Sequence, residues 1–166
     1  MIIGASGSIG TYAVQLAKRQ GAEVTGVCGT SNVDLVRSLG ADHVIDYHHE
    51  NVHDTSKRWD VVFDTVGASS FADSESVLAE RGVFVPTVIS IRSLFGGAWT
   101  PITRGKKLVG GVSMNKREPL RYVTELLADD ALRVVIDGTF PLDRIQDAHR
   151  HVDTGHKTGN VVIDVA

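Results

Sequence analysis

The chain has 166 residues, 42% of them hydrophobic and 22% charged, with a mean hydropathy near zero, which is ordinary for one folded domain with a buried core. The sequence contains 17 Lys and Arg residues and 20 Asp and Glu residues, so the net charge is only −3. Neither the positive nor the negative residues form a continuous block. This balance argues against nucleic-acid and membrane-surface proteins, and we expect a small molecule as the partner.

Cys28 is the only cysteine, which excludes an internal disulfide and a four-cysteine zinc site within this chain. The first three residues carry no basic leader and no long apolar run, and Gly4 follows at once. This start is unlike a signal peptide or a membrane span. We therefore expect a cytoplasmic protein with no zinc bound by this chain.

The first ninety residues alternate short β-branched runs with helical patterns, which is typical of βαβ units and a parallel sheet. Strands are predicted at residues 2–3, 24–28, 43–45, 61–64 and 83–88. A helix after the first strand is predicted to end at Gly21, and a second, over residues 33–39, at Gly40. The apolar face of the first helix consists of Ile9, Ala13, Leu16 and Ala17.

In the second half of the sequence, helix and strand patterns alternate less regularly. Residues 90–104 are rich in Ser, Gly and isolated bulky side chains, which predicts a loop. Strands are then predicted at residues 107–112 and 161–165. Two helices are predicted between them, with apolar faces formed by Leu120, Val123 and Leu127 and by Ile145, Ala148 and Val152.

Residues 4–10 read Gly-Ala-Ser-Gly-Ser-Ile-Gly, directly after an apolar strand and before an amphipathic helix. Small residues let the backbone approach a pyrophosphate, whose charge meets the free N–H groups and the positive end of the helix dipole. Such turns also occur where nothing binds. With the order of the elements, the motif predicts an α/β protein with a Rossmann-type doubly wound parallel sheet and a short C-terminal α/β tail.

The end of the second strand bears on the cofactor, because an acidic residue about 20 positions beyond the glycine motif would bind the 2′-hydroxyl of NAD. This sequence has Thr30, Ser31 and Asn32 there instead. Hydroxyl and amide groups add no negative charge, and Arg37 could pair with a 2′-phosphate. NADP(H) is favoured. Ser31 and Asn32 could alternatively cap the following helix.

Four segments in order, GASGSIG, SLGADHVIDY, WDVVFDTVG and PLDRIQDAHRHVDTGHKTGNVVI, resemble motifs of the medium-chain dehydrogenase/reductase superfamily over nearly the whole chain. The sequence is similar to its zinc-independent quinone oxidoreductase and reticulon-interacting branch. The resemblance implies hydride transfer between NADP(H), or alternatively NAD(H), and a carbonyl, alcohol, enone or quinone. A non-catalytic dinucleotide-binding module or a truncated remnant is the alternative.

The resemblance also implies cofactor-binding residues. Those at the pyrophosphate and the adenosine are Gly7, Ser8, Ile9, Gly10, Thr30, Ser31, Asn32 and Tyr47. Those at the nicotinamide half are Asp64, Thr65, Val66, Gly67, Thr87, Val88 and Ile89. Tyr47 could alternatively be an ordinary half-buried aromatic residue. The resemblance assigns this chain no catalytic residue and no metal ligand.

Two positions depart from the family pattern. Lysines are common in the family in the 2′-phosphate region and before the last strand, where this sequence has Asp34 and Asn160. Asp34 could bind a ribose hydroxyl, which keeps NAD(H) as the alternative cofactor. The histidines at 48, 49 and 53 are expected in a solvated loop away from the cofactor rather than in a metal site.

Members of the resembled family carry a GroES-like catalytic domain before the glycine motif, and that domain is not part of this sequence. We therefore expect a fragment, a misassigned start or a remnant, with substrate bound only together with the missing domain. Residues 1–132 are predicted to form the NAD(P)-binding domain, with a clipped first strand. Residues 133–166 are predicted to be a tail that packs, in the family, on the catalytic domain.

The strand at residues 107–112 is predicted to be an apolar sheet edge, which invites pairing with a second copy. In the resembled family this strand pairs with its symmetry mate across a two-fold axis. We therefore expect a homodimer joined through the segment from Lys107 to Met114.

Overall fold

The computed structural model describes residues 1–87, 105–110 and 116–165. Within these ranges six strands form one sheet in which every neighbouring pair is parallel. The elements are β1 Ile2–Ile3, α1 Ser8–Arg19, β2 Thr25–Cys28, α2 Val33–Ser38, β3 His43–Asp46, β4 Trp59–Asp64, α3 Phe71–Ser74, β5 Leu78–Pro86 and β6 Lys107–Leu108. The strand order β3-β2-β1-β4-β5-β6 confirms the predicted Rossmann-type doubly wound fold.

The order of the strands reverses at β1, which lies between β2 and β4. Ile3, the last residue of β1, is aligned with Val27 on one side and with Asp64 on the other. The chain after β1 therefore leaves the sheet between the carboxyl ends of β2 and β4, which is where open α/β sheets bind ligands.

Each face of the sheet has its own apolar cluster because side chains alternate along a strand. Ile2 belongs to the cluster beneath α1 and α2, with Val14 and Val36 from those helices. Ile3 belongs to the opposite cluster, with Val62 and Phe84. The helices end as predicted, with Gly21 and Gly40 in the left-handed region at φ 78° and 105°.

The last part of the chain contains α4 Arg117–Ala128, β7 Ile136–Pro141, α5 Ile145–Asp153 and β8 Asn160–Asp164. Strands β7 and β8 form a separate parallel pair, and α5 connects them. Ala148 of α5 is buried, whereas Ile145 and Val152 are exposed. The sequence pattern did not predict β7.

Residues at the start of the tail contact the main sheet region. Val135 is buried in the cluster beneath α1 and α2. The side chain of Gln15 in α1 accepts from the Arg133 N–H at 2.7 Å and donates to the Arg133 carbonyl at 3.0 Å. The division between residues 1–132 and 133–166 stays a prediction.

Three strands differ from their predicted bounds by more than one residue. β4 begins earlier, at Trp59, because the buried indole donates to the Thr25 hydroxyl and the strand continues past an irregularity between residues 59 and 61. β5 begins earlier, at Leu78, which pairs with Trp59. The strand predicted over residues 107–112 is shorter: its ladder to β5 ends at Leu108, and residues 109 and 110 are not in a strand.

The predicted loop at residues 90–104 and the last two residues of the 107–112 strand lie outside the described residues. In the described ranges no helix is both long enough and apolar enough to cross a membrane.

Candidate dinucleotide-binding site

The glycine motif forms a tight loop against the sheet. Gly4 has a φ of 76°, and a Cβ on it would lie 2.6 Å from a methyl group of Val66. A Cβ on Gly10 would lie 2.1 Å from the Gly4 carbonyl oxygen. Both contacts are impossible for a larger residue, so these glycines let α1 start directly on the loop.

The amino terminus of α1 lies at this loop. Gly7 is the N-cap, and the first helical hydrogen bond is donated by the Thr11 N–H to the Gly7 carbonyl at 3.0 Å. The N–H groups of Ser8, Ile9 and Gly10 precede that bond. The first turn contains no acidic residue. The helix end is therefore suited to an anion.

The segment just before β8 covers the same loop, which the sequence analysis did not anticipate. The Gly159 N–H donates to the Ser6 carbonyl at 2.8 Å, and the Ser8 hydroxyl donates to the Gly159 carbonyl at 2.8 Å. The Thr158 hydroxyl donates to the Asn32 side chain at 3.0 Å. The tail thus borders both the glycine loop and the turn after β2. In the sequence, the only signal for this contact was the run of glycine and polar residues just before β8.

Thr30, Ser31 and Asn32 form one turn of 3-10 helix directly after β2. Thr30 and Ser31 are exposed and Asn32 is half-buried. Asn32 is the N-cap residue of α2, but its side chain makes no capping hydrogen bond and accepts from Thr158 instead. For Asn32 the capping alternative is therefore wrong, and its amide faces the tail.

Two carboxylates lie near this turn. The Asp46 carboxylate at the end of β3 accepts hydrogen bonds from the Thr30 hydroxyl and the His48 N–H, and these contacts lower the pKa of Asp46. Asp34 lies 3.6 Å from Arg37, and both side chains are largely exposed. Arg37, the predicted partner of a 2′-phosphate, is therefore already close to a carboxylate.

Tyr47 and His48 lie beside the backbone at the end of β2. A Cβ on Gly29 would lie 3.1 Å from the Tyr47 hydroxyl oxygen and 3.4 Å from His48 Nε2. The two rings are 4.5 Å apart, and Tyr47 is half exposed. The expectation that this histidine loop lies away from the cofactor side is wrong for His48, because it follows β3 at the carboxyl edge.

The turn after β4 is organised by the buried carboxylate of Asp64. It accepts hydrogen bonds from the backbone N–H groups of Val66, Gly67 and Ser69 at 3.0, 2.8 and 2.8 Å. These bonds occupy the carboxylate within its own turn. Val66 is exposed at the carboxyl edge. Cofactor contact by this turn would come from its backbone and from Val66.

Threonines connect this turn to its neighbours. The Thr65 hydroxyl donates to the Ile3 carbonyl at 2.8 Å. The Thr87 N–H and hydroxyl donate to the Asp64 carbonyl at 2.9 and 3.1 Å. The ends of β1, β4 and β5 are thereby held side by side. The remaining predicted residues, Val88 and Ile89, lie outside the described residues.

Cys28 is the last residue of β2, next to the turn predicted to bind the adenosine. Its side chain is buried, and burial raises the pKa of the thiol to about 11. A protonated thiol of this kind serves packing rather than nucleophilic chemistry. In the ranges that the structure describes, no group of three or more His, Cys, Asp and Glu residues is arranged to hold a metal ion.

The predicted site residues in the described ranges thus follow the ends of β1, β2, β3, β4 and β5 at one edge of the sheet. The family model for zinc-binding dehydrogenases matches residues 39–163 of the chain. The chain belongs to this family. The predicted resemblance to medium-chain dehydrogenases/reductases is thereby confirmed.

Curated relatives of this dehydrogenase-family chain are named as oxidoreductases. It is 36% identical over 99% of its length to a chloroplastic quinone-oxidoreductase, QR1, of Triphysaria versicolor, and 34% identical to the mitochondrial NAD(P)H oxidoreductase RTN4IP1 of Bos taurus. It covers 51% and 47% of those proteins. The chain therefore spans about half the length of the curated relatives it matches.

The chain also matches about half the length of a solved oxidoreductase structure. The quinone oxidoreductase from Coxiella burnetii superposes with a TM-score of 0.87 at 30% identity, over 99% of this chain and 52% of that one. The family and the geometry at the carboxyl edge together support a nicotinamide cofactor.

Proposed function

We propose that this chain binds a nicotinamide dinucleotide, NADP(H) in preference to NAD(H), as the cofactor-binding part of an oxidoreductase. The observation that carries the proposal is the place of the glycine loop. It leads into the amino terminus of α1 where the strand order reverses between β1 and β4. That crevice is the general ligand site of open parallel sheets.

The residues present fit the two halves of such a cofactor. The glycine loop and the N–H groups of α1 offer backbone donors to the pyrophosphate. On one side, the 3-10 turn after β2 and the ring of Tyr47 border a site for the adenosine. On the other side, the turns after β4 and β5 offer backbone and Thr87 to the nicotinamide half.

Support for NADP(H) comes from the turn after β2. Its side chains, Thr30, Ser31 and Asn32, carry no charge and can donate to a 2′-phosphate. NAD(H) remains the second candidate because of a specific observation: the Asp46 carboxylate lies against Thr30 and could accept from ribose hydroxyls. Asp34, named as a ribose ligand from the sequence, is less suited because its side chain is fully exposed.

The bound cofactor would donate or accept a hydride, and this chain's own groups would hold and orient it. The proposed substrate is a carbonyl, alcohol, enone or quinone. Its pocket would require the half of the relatives' length that this chain does not span. A non-catalytic dinucleotide-binding module is the alternative for the chain by itself.

Titration of the purified chain with NADPH and NADH by calorimetry tests the binding. Tighter binding of NADPH is expected. Tighter binding of NADH would reject the preference and favour Asp46 as a ribose ligand, and binding of neither would overturn the proposed function.

An assay of NADPH oxidation with simple quinones and aldehydes tests whether the chain suffices for catalysis. No substantial turnover is expected of the chain alone. A rate near ~10 per second, which is typical of whole enzymes, would contradict this expectation.

A further inference from the structure

Two polar side chains of the loop after β3 converge on Gly29, the first residue after β2. A Cβ on Gly29 would lie 3.1 Å from the Tyr47 hydroxyl oxygen and 3.4 Å from His48 Nε2. Because glycine has no Cβ, the space beside these two atoms stays open, next to Thr30. Among the described residues neither atom has a hydrogen-bond partner. Both atoms are therefore available to a ligand at the turn after β2.

The fixed charges at this end of the sheet are mostly negative. The Asp46 carboxylate at the end of β3 accepts from the His48 N–H at 3.0 Å. Asp34 in α2 and Glu50 in the loop after β3 are exposed carboxylates. The fixed cation beside them, Arg37, lies 3.6 Å from Asp34. A 2′-phosphate, which carries about two negative charges, would thus enter a region with more negative than positive fixed charge.

The other ionisable groups near the turn are occupied or neutral. Burial raises the pKa of the Cys28 thiol to about 11, so this group stays uncharged at neutral pH. Lys157, in the turn before β8, is hydrogen-bonded at the glycine loop. His49 Nε2 lies 3.7 Å from the Asp46 carboxylate. His48 is therefore the ionisable side chain that is placed to give a positive charge to the turn itself.

The charge of such a side chain depends on pH. Histidine is the side chain that ordinarily changes its charge between about pH 5 and about pH 8, and a neighbouring anion favours the protonated form. A phosphate oxygen beside His48 would be bound by an imidazolium ring at the lower pH and by a neutral ring at the higher pH. NAD(H) has a hydroxyl group in place of the 2′-phosphate, so it would not gain this charge interaction.

We propose that His48, together with the Tyr47 hydroxyl, binds the 2′-phosphate of NADP(H) and makes the preference for NADP(H) over NAD(H) dependent on pH. This inference rests on the proposed function and adds the residue that sets the choice between the dinucleotides. The preference strengthens as the pH falls from about 8 to about 6.5, because the imidazole gains its positive charge while most of the 2′-phosphate keeps both negative charges.

Calorimetric titration with NADP⁺ and NAD⁺ at about pH 6.5 and about pH 8 tests the inference. The oxidised forms are used because the reduced forms decompose in acid. The affinity for NADP⁺ is expected to fall about threefold to tenfold between the lower and the higher pH, and the affinity for NAD⁺ to change by less than about twofold.

Two substitutions of His48 separate its charge from its shape. In His48→Gln the affinity for NADP⁺ at the lower pH should fall about tenfold and its pH dependence should disappear, with NAD⁺ unaffected. His48→Lys should bind NADP⁺ tightly at both pH values, because its charge does not titrate in this range.

His43→Gln is the matched control. His43 begins β3 at the opposite edge of the sheet and lies 3.1 Å from Glu23, so this variant should keep the pH dependence of the wild type. His49→Gln distinguishes the two neighbouring histidines. If His49→Gln loses the pH dependence and His48→Gln keeps it, the assignment to His48 is wrong.

A second measurement uses the unchanged protein and does not depend on the folding of a variant. Calorimetry in two buffers with different ionisation enthalpies counts the protons taken up on binding. At about pH 7.5, NADP⁺ should cause an uptake of up to about one proton, and NAD⁺ should cause none.

The outcomes separate this inference from the proposed function. No proton uptake with NADP⁺, an equal effect of His48→Gln on both dinucleotides, or the same pH dependence in wild type and His48→Gln would each overturn the inference alone. If the wild type binds neither dinucleotide, the proposed function fails and the inference fails with it.

Discussion

At the residue scale, the charge of Asp46 is expected to influence which dinucleotide binds at the proposed adenosine site. Its carboxylate lies against Thr30 and accepts from the His48 N–H at 3.0 Å. Asp46→Asn keeps an acceptor there and removes the negative charge. NADPH is then expected to bind about threefold to tenfold more tightly, because repulsion of the 2′-phosphate is relieved. Calorimetric titration measures the change.

Asp42→Asn is the control, because Asp42 precedes β3 at the other edge of the sheet, where it pairs with Lys18 at 2.8 Å. It should leave both affinities unchanged. If Asp46→Asn instead weakens NADH and leaves NADPH unaltered, Asp46 binds the ribose hydroxyls and NAD(H) becomes the preferred cofactor.

Substitutions at two glycines of the motif are expected to have different effects, one on stability and the other on dinucleotide binding. A Cβ on Gly10 would lie 2.1 Å from the Gly4 oxygen, whereas a Cβ on Gly7 would meet that oxygen at an ordinary 3.4 Å. Gly10→Ala should cost about 3 kcal/mol of unfolding free energy. Gly7→Ala should change stability by less than about 0.5 kcal/mol but weaken both dinucleotides about tenfold, because its Cβ occupies the approach of the pyrophosphate.

Urea unfolding and dinucleotide titration of the two variants provide the measurement. Undiminished binding by a stable Gly7→Ala variant would mean that the pyrophosphate does not approach this part of the loop.

Cys28 is expected to make the stability of the protein depend on pH in the alkaline range. Burial raises the pKa of its thiol from about 9 to about 11. The folded state therefore holds the proton more tightly than the unfolded chain. The resulting stabilisation is present below pH 9 and is lost as the pH rises toward 11. Between these values the melting temperature of the wild type should fall more steeply than that of Cys28→Ala. Parallel curves would contradict the raised pKa.

At the scale of elements, α1 is the helix that connects the sheet to the tail. Gln15 exchanges two hydrogen bonds with the backbone of Arg133, and Val135 is buried beneath the same helix. Gln15→Ala should lower the unfolding free energy by about 1 kcal/mol. It should also speed hydrogen exchange of the Asn160 N–H, which bonds to Val135.

The comparison for this prediction is Gln20→Ala, because Gln20 is exposed at the end of the same helix. Urea unfolding and amide exchange followed by NMR distinguish the two variants. If exchange at Asn160 is the same in both, Gln15 does not hold the tail.

At the scale of the whole molecule, the expected homodimer depends on the edge of the sheet. β6 is the edge strand, and Val109 just after it is half exposed. Its N–H bonds to the Phe84 carbonyl at 2.9 Å, which extends the edge by one residue. Residues 111–114 of the expected contact lie outside the described residues. The dimer through Lys107 to Met114 therefore stays a prediction.

Val109→Lys should weaken the dimer by placing like charges across a two-fold axis. Val165→Lys is the control, because Val165 is 75% exposed on the tail. Analytical sedimentation at protein concentrations of tens of micromolar measures the oligomeric state of each variant. A monomeric wild type, or a dimer indifferent to Val109→Lys, would reject the edge as the interface.

Much of the fold and of the site could be predicted from the sequence, because the signals are local. Alternating strand and helix patterns predicted β1 to β5 and the parallel sheet, and turn residues predicted where α1 and α2 end. The glycine motif and the turn after β2 marked the carboxyl edge for the same reason: a residue that directly follows a parallel strand lies at that edge. The family motifs were equally readable, since they are contiguous runs.

The contacts between distant segments were decided only by the tertiary structure. Lys157 reaches Ser8 across 149 positions, and the pairing of Gln15 with Arg133 spans 118. Neither pair leaves a periodic pattern in the sequence. The contact of Asp46 with Thr30 likewise follows from the pairing of β3 with β2. The sequence by itself determined most of the helices and strands and indicated the carboxyl edge of the sheet as the ligand site. The packing of the tail against that edge determined which charges lie there, because long-range contacts depend on how the strands are ordered and not on local preference.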